Sequence, residues 1–362
     1  MSGEAKGRAG REPVIPHSRP SLGSAEAEAA AAVLRSGQVA QGPQVAAFEA
    51  EVAARMGLRG GVAVASGTAA LHLALLAVKV GPGAAVLLPS YTCAALLHAI
   101  RLAGAEPLLA DVEPGTGSLD PDAARRGAAP PRCRALILVH PFGLPADVGA
   151  FLDLGLPIIE DCAQALGATA GGGPVGRRGE AAVCSFYATK VITAGEGGMV
   201  LSDRPEVLAV ARDLRAYDEA PDARPRFNYK MTDLQAAVGR VQLGRLPELL
   251  DRRAGIAATY RKALADAPVA LPPEVPGRIY YRFVVRVAGG AEPPLEAFAR
   301  RGITCRRPVH TPLHRLLGRG GFPGAEEAWR TSLSLPCAPA LTEGEVSRVA
   351  EAARAILGGR ER

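Results

Sequence analysis

Short apolar runs that end in small polar residues, with a helix-forming stretch after each, leave this chain few architectures. Val62-Ala63-Val64-Ala65 reads as a buried strand, Ser66-Gly67-Thr68 as a turn, and residues 69–78 as a helix. The same order returns in residues 85–89, Ser90-Tyr91-Thr92 and residues 94–103. Further strands are expected at 106–112, 134–140, 157–159 and 181–186, and at Met199-Val200-Leu201. Strand–helix alternation of this kind predicts an α/β domain with a doubly wound, mostly parallel sheet. Ahead of it, an alanine-rich helix is expected over 24–35, stopped by Gly37, and another over 45–56 after the turn Gln41-Gly42-Pro43.

Beyond Thr232 the pattern changes. A long amphipathic helix runs to about 243, Pro247 marks a joint, and a second helix runs to about 265. Residues 280–287 then alternate as an antiparallel strand, with helices at 294–301 and 343–357. That describes a smaller α+β domain. The expected organisation is a mobile polar tail over 1–15, a large domain over 16–245 and a small one over 246–362. A chain of 362 residues with 48% hydrophobic content has material for both cores.

Composition removes several function classes. The net charge is +6, but both signs are scattered and aromatic residues make up only 4%, so no nucleic-acid-binding stripe is visible. The six cysteines (Cys93, Cys133, Cys162, Cys184, Cys305 and Cys337) form no C-x-x-C and have no histidine at zinc-ligand spacing. Most of them read as buried small hydrophobes, and no metal is expected. Residues 62–88 are the most apolar stretch, yet His72, Lys79, Gly81, Pro82 and Gly83 interrupt it, so no membrane span is expected. The opening residues lack the apolar core of a signal peptide, and a reducing cytosol is the expected setting.

The chemistry-bearing residues fall where strands end, which is the ligand-facing edge of an open α/β sheet. Ser66-Gly67-Thr68 at a helix N-terminus suits a bound anion through free backbone N–H groups; it equally suits ordinary capping. Tyr91 could stack on a planar ring or simply pack. His140 ends a strand and reads as structural. Asp161 ends a very apolar strand, where a carboxylate is costly without a cation. A pyridinium nitrogen would be such a cation; an N-cap with Gln164 completing a capping box is the alternative.

Lysine is scarce in this chain: only Lys6, Lys79, Lys190, Lys230 and Lys262 occur, the other basic residues being arginines. Lysine can lose its proton where arginine cannot, so a desolvated lysine can act as a nucleophile toward a carbonyl such as that of pyridoxal phosphate. Lys190 closes Ser185-Phe186-Tyr187-Ala188-Thr189-Lys190, with Gly195-Glu196-Gly197-Gly198 behind it. It lies 29 residues after Asp161, enough for one hairpin and one strand, which would set both at strand ends of one sheet.

Together with Ser66-Gly67-Thr68-Ala69-Ala70-Leu71-His72, Glu160-Asp161-Cys162-Ala163-Gln164-Ala165, Asn228-Tyr229-Lys230-Met231-Thr232-Asp233-Leu234-Gln235 and Pro312-Leu313-His314, these segments resemble the DegT/DnrJ/StrS sugar aminotransferases. That family belongs to the fold-type-I class of pyridoxal-phosphate enzymes. The resemblance runs from about residue 21 to 357. It implies that Lys190 holds the cofactor as a Schiff base and then moves the proton, and that Asp161 pairs with the pyridine nitrogen. It further implies Gln164 at the phenolic oxygen, Tyr91 on the ring face, and Gly67, Thr68, Ser185 and Asn228 at the phosphate. Asn228 would come from a second subunit, so a homodimer is expected. Tyr187, His310 and His314 are the expected substrate contacts.

The implied reaction is a ping-pong transamination from an amino acid, glutamate first, to a keto sugar carried on a nucleotide. The intact Lys190 argues against the dehydratases of this family, which have histidine there. The Asp161–Lys190 pair argues against a ligand sensor without turnover. Three departures stand out. Relatives commonly read Leu-Pro-Leu-His-Pro where this chain has Leu335-Pro336-Cys337-Ala338-Pro339, and Asn-His-Gly where it has Ala216-Tyr217-Asp218. Lys230 replaces the usual arginine. The first two leave room for an unusual acceptor, such as a free cyclitol ketone.

Overall fold

The computed structural model describes residues 13–218 and 222–359. In chain order the first half contains α1 (Ser24–Ser36), α2 (Pro43–Met56), β1 (Gly60–Val64), α3 (Gly67–Ala77), β2 (Ala85–Pro89), α4 (Ala94–Leu102), β3 (Glu106–Ala110), α5 (Pro121–Ala128), β4 (Cys133–Val139) and β5 (Ile158–Asp161). A hairpin of β6 (Thr169–Ala170) and β7 (Gly173–Pro174) leads to β8 (Ala181–Ser185), β9 (Gly198–Ser202), α6 (Pro205–Arg215) and α7 (Asp233–Gly244). The remainder is α8 (Leu246–Ala263), β10 (Val269–Ala270), β11 (Phe283–Val287), α9 (Glu292–Arg300), α10 (Leu313–Leu316), α11 (Pro323–Thr331), β12 (Ser332–Leu335) and α12 (Glu343–Leu357).

Seven strands form the large sheet in the order β1-β9-β8-β5-β4-β2-β3. The run from β8 to β3 is parallel, and β9 alone is antiparallel to its neighbours β1 and β8. Side chains alternate between two buried faces, as strand geometry requires. Val62, Val64, Ile137, Val139, Ile159 and Val183 face α3 and α4. Ala63, Ala182, Cys184 and Met199 face α2 and the loop after β5. Parallel strands covered on both faces become nearly continuous apolar runs, which is why they stood out in the sequence. The 29-residue span after Asp161 is filled by the β6–β7 hairpin and β8, as its length predicts.

Register decides where the site lies. Asp161 pairs with Val183 across β5 and β8, Ser185 pairs with Gly198, and Gly198 pairs with Val64. The carboxyl ends of β1, β5 and β8 therefore meet along one edge. Gly198 makes the meeting possible, because a Cβ there would lie 2.3 Å from the Ser66 carbonyl oxygen.

The smaller unit is a three-stranded antiparallel sheet, β10-β11-β12, packed on α8, α9 and α12. The α8 helix serves both cores: Leu246 and Leu249 pack in the large one, Ile256, Ala257 and Tyr260 in the small one. The first twelve residues of the expected tail lie outside the described residues. Its last residue departs from the expectation: Ile15 is 1% exposed, bridges Ile303 and packs in the small core. Next to an exposed Val14, Ile15 gains enough from burial to anchor the segment.

Candidate active site

Lys190 sits in the turn after β8, its N–H donating to the Tyr187 carbonyl at 2.9 Å. The side chain is half-buried, with Nζ 5.6 Å from the centre of the Tyr281 ring. Asp161 closes β5 and is 6% exposed. Burial raises its pKa above the usual carboxylate range; the Ala163 N–H, the Lys190 ammonium and His140 offset part of that rise. The Lys190 charge thus acts on Asp161, and the two follow or close strands of one sheet. The capping alternative for Asp161 is not realised. No helix follows it, and its Oδ1 instead accepts the Ala163 N–H at 2.9 Å in a local turn.

Gln164 is held at its carbonyl end: Oε1 accepts the Phe142 N–H at 2.9 Å. That contact fixes the carboxamide, so its NH2 is the group left to donate. Ser66 caps α3 by accepting the Ala69 N–H. Gly67 then approaches Ser185 so closely that a Cβ would lie 2.8 Å from the serine Cβ. Gly67, Thr68 and Ser185 therefore form a small, half-exposed cradle at a helix N-terminus, which suits a phosphate. The segment carrying Asn228 is fastened to the same strand end: Ala65 N–H donates to the Tyr229 carbonyl at 2.8 Å, and Lys230 bridges Val64. Asn228 itself is exposed.

Beside Asp161, Glu160 is 1% exposed and fully engaged. Its carboxylate accepts from Gly176, Arg178 and Gly179 N–H groups and from His140 Nε2 at 3.0 Å. His140 Nδ1 accepts the Ala146 N–H, which fixes the proton on Nε2. These donors outweigh burial and hold the Glu160 carboxyl below its ordinary pKa. Glu160→Gln would turn an NH2 toward two of these donors. We expect it to destabilise the protein by about 3–5 kcal/mol in urea denaturation; a loss below ~1 kcal/mol would mean the network is dispensable.

Two expected contacts are corrected. Tyr91 is 3% exposed and belongs to an inner cluster with Phe142, Val112 and Val284. Its hydroxyl donates to the Ala328 carbonyl, and burial pushes its pKa up to about 12. Phe142 stands edge-on to it, ring centres 6.3 Å apart, so the ring packs inward. His314 is 2% exposed; Nδ1 meets Ser90 Oγ at 2.6 Å and Nε2 meets Glu326 at 2.7 Å. Both ring nitrogens are spent on tying α10 to the end of β2, so it is a structural histidine. His310 is exposed; its ring contacts Thr311 and its carbonyl accepts the Trp329 indole N–H. Tyr187 is 46% exposed beside that turn.

The Tyr217-Asp218 and Lys230 departures turn out to touch: Lys230 Nζ pairs with Asp218 and lies 4.8 Å from the Tyr217 ring centre. Sequence reasoning missed Tyr281, Arg253, Arg282 and His17, which close around Lys190 from the small unit and the N-terminal segment. Only the strand alternation of 280–287 was visible for them. Among the described residues, no cluster of His, Cys, Asp and Glu could hold a metal ion, and no helix is long and apolar enough to cross a membrane.

The whole fold has close counterparts. The aminotransferase TlmJ from Streptoalloteichus hindustanus superposes with a TM-score of 0.90 at 32% identity, covering 96% of this chain and 100% of that one. DesV from S. venezuelae, solved with a ketimine intermediate, gives 0.87 at 34% identity over 94% and 95%. The PLP form of the sugar aminotransferase Spr1654 from Streptococcus pneumoniae gives 0.89 at 25% identity over 95% and 98%. The sequence pattern of the DegT/DnrJ/EryC1/StrS aminotransferase family matches residues 20–354. With a half-buried lysine beside a buried acid at the carboxyl edge of this sheet, the chain belongs to that family of pyridoxal-phosphate-dependent sugar aminotransferases.

Proposed function

We propose that this protein moves an amino group from an amino acid, glutamate foremost, to a keto sugar carried on a nucleotide, in two successive half-reactions. The observation that carries this reading is Asp161, a nearly inaccessible carboxylate whose pKa burial raises, within electrostatic reach of Lys190. Such a group fits a cationic pyridine ring better than water. The cofactor, when bound, supplies an electron sink that lets a proton leave the substrate carbon.

The chain's residues divide the remaining work. Lys190 Nζ would hold the cofactor covalently and, when the substrate amine takes its place, would serve as the base that moves the proton. Asp161 keeps the ring nitrogen protonated. The Gln164 NH2 would donate to the cofactor's phenolic oxygen, and Gly67, Thr68 and Ser185 would hold its phosphate. Asn228, exposed next to that strand end, reaches the phosphate of a second subunit, so the working unit is a homodimer.

The test is a set of amino donors offered with nucleotide-linked keto sugars and free cyclitol ketones, with amine transfer scored by mass spectrometry. Glutamate-dependent amination of a nucleotide-linked sugar is the expected result. Amination of cyclitols alone would move the acceptor assignment, and no transfer to any ketone would overturn the reading.

A further inference from the structure

A narrow pocket opens beside Lys190, between the N-terminal segment 17–21, the 188–193 turn and the small unit. Four cationic side chains line it, Arg19, Lys190, Arg253 and Arg282, and no carboxylate does. Arg19 is paired outward with Glu345. Arg253 is 5% exposed; one of its terminal nitrogens donates to the Tyr281 and Cys337 carbonyls, and its buried Nε has no partner. Arg282 is half-buried, lies 3.2–3.3 Å from both ring nitrogens of His17, and sits 5.2 Å from the Tyr281 ring centre. Among the described residues, neither Arg253 nor Arg282 has a carboxylate at ion-pair distance. The local potential shows in His17, whose pKa falls to about 3 through burial, Arg282 and Arg306.

Guanidinium groups desolvated without a counter-charge are costly, and the cost disappears when an anion enters. The cavity is narrow, with room for a small polar group. Lys190 Nζ and Arg282 both lie against the Tyr281 ring, at 5.6 and 5.2 Å from its centre. An amino acid whose amine takes the place of Lys190 Nζ would bring a carboxylate into the space that this ring borders. We propose that this pocket receives a carboxylate of the amino donor, with Arg282 as the group that meets it and Arg253 as the buried charge behind it. The inference rests on the aminotransferase reading and adds to it the donor's binding group.

The experiment uses the cofactor-loaded full chain. The donor half-reaction is followed in single turnover by loss of the yellow colour, with glutamate and with alanine. Binding of glutarate, which carries carboxylates but no amine, is measured by calorimetry. Arg282→Met should raise the glutamate concentration for half-maximal rate about 10- to 100-fold, the worth of a hydrogen-bonded charge pair. The limiting rate should change little, and Arg282→Lys should recover part of the loss. A parallel loss with alanine places the α-carboxylate in the pocket; a loss with glutamate alone places the distal one. Unchanged glutamate dependence and glutarate affinity in Arg282→Met would overturn the proposal, as would a defect confined to the acceptor half-reaction. If the parent never loses colour with any amino acid, the aminotransferase reading fails separately, and glutarate binding still decides the pocket.

Discussion

Lys190→Ala should abolish amino transfer while leaving a folded protein. The side chain is half-buried and, among the described residues, forms no salt bridge, so its loss should alter unfolding free energy by no more than about 1 kcal/mol. Catalysis loses both the covalent anchor and the proton carrier. Positioned proton transfer alone is worth roughly 10²–10⁴-fold, so turnover should fall about 10⁴-fold or more. Lys190→Arg is the sharper control. It keeps the positive charge but cannot deprotonate, and should be as inactive as the alanine variant. Borohydride treatment of the parent, followed by peptide mapping, should leave a pyridoxyl group on Lys190 and on no other lysine. A Lys190→Ala protein that transfers amines at the parental rate would remove the central assignment.

Asp161→Asn should separate stability from function with opposite signs. In the cofactor-free protein burial raises the Asp161 pKa, so the folded state holds this proton more tightly than the unfolded chain does. Stability from this group is then present below the unfolded carboxylate pKa. It is lost as pH rises through the raised folded value, and it stays lost at neutral pH. Asparagine keeps an oxygen for the Ala163 N–H and removes the buried charge. The cofactor-free variant should therefore be more stable than the parent at pH 7, by about 1–2 kcal/mol in urea denaturation, and the gain should vanish in acid. Cofactor affinity and the proton-transfer step should both weaken, because the ring nitrogen loses its anionic partner. An Asp161→Asn protein with parental cofactor affinity and parental kinetics would show that the carboxylate serves only its local turn.

Much of the fold could be read from residues 60–202, because strands covered on both faces must be apolar throughout and their turns must be small and polar. The helix expected at 343–357 is α12, and in the folded chain a capping box of Thr342 and Glu345 starts it. The same local signals misled at Tyr91, which follows a strand end, where ligands usually sit. Its ring instead turns inward against Phe142 and the small unit, a contact 51 residues away along the chain. For His314 the resemblance implied a substrate contact, and only Ser90 and Glu326, far apart in sequence, reveal its structural role.

Hydrophobic periodicity and turn chemistry are local. They alone determined the strand–helix order, the lysine turn after β8 and the acid at the end of β5. The antiparallel insertion of β9 beside β1, the sharing of α8 between two cores, the anchoring of Ile15 and the arginine-lined pocket at Lys190 each depend on partners from distant segments. Only the folded chain decides these, because which buried groups meet is set by packing over long loops, and no stretch of sequence carries that information by itself.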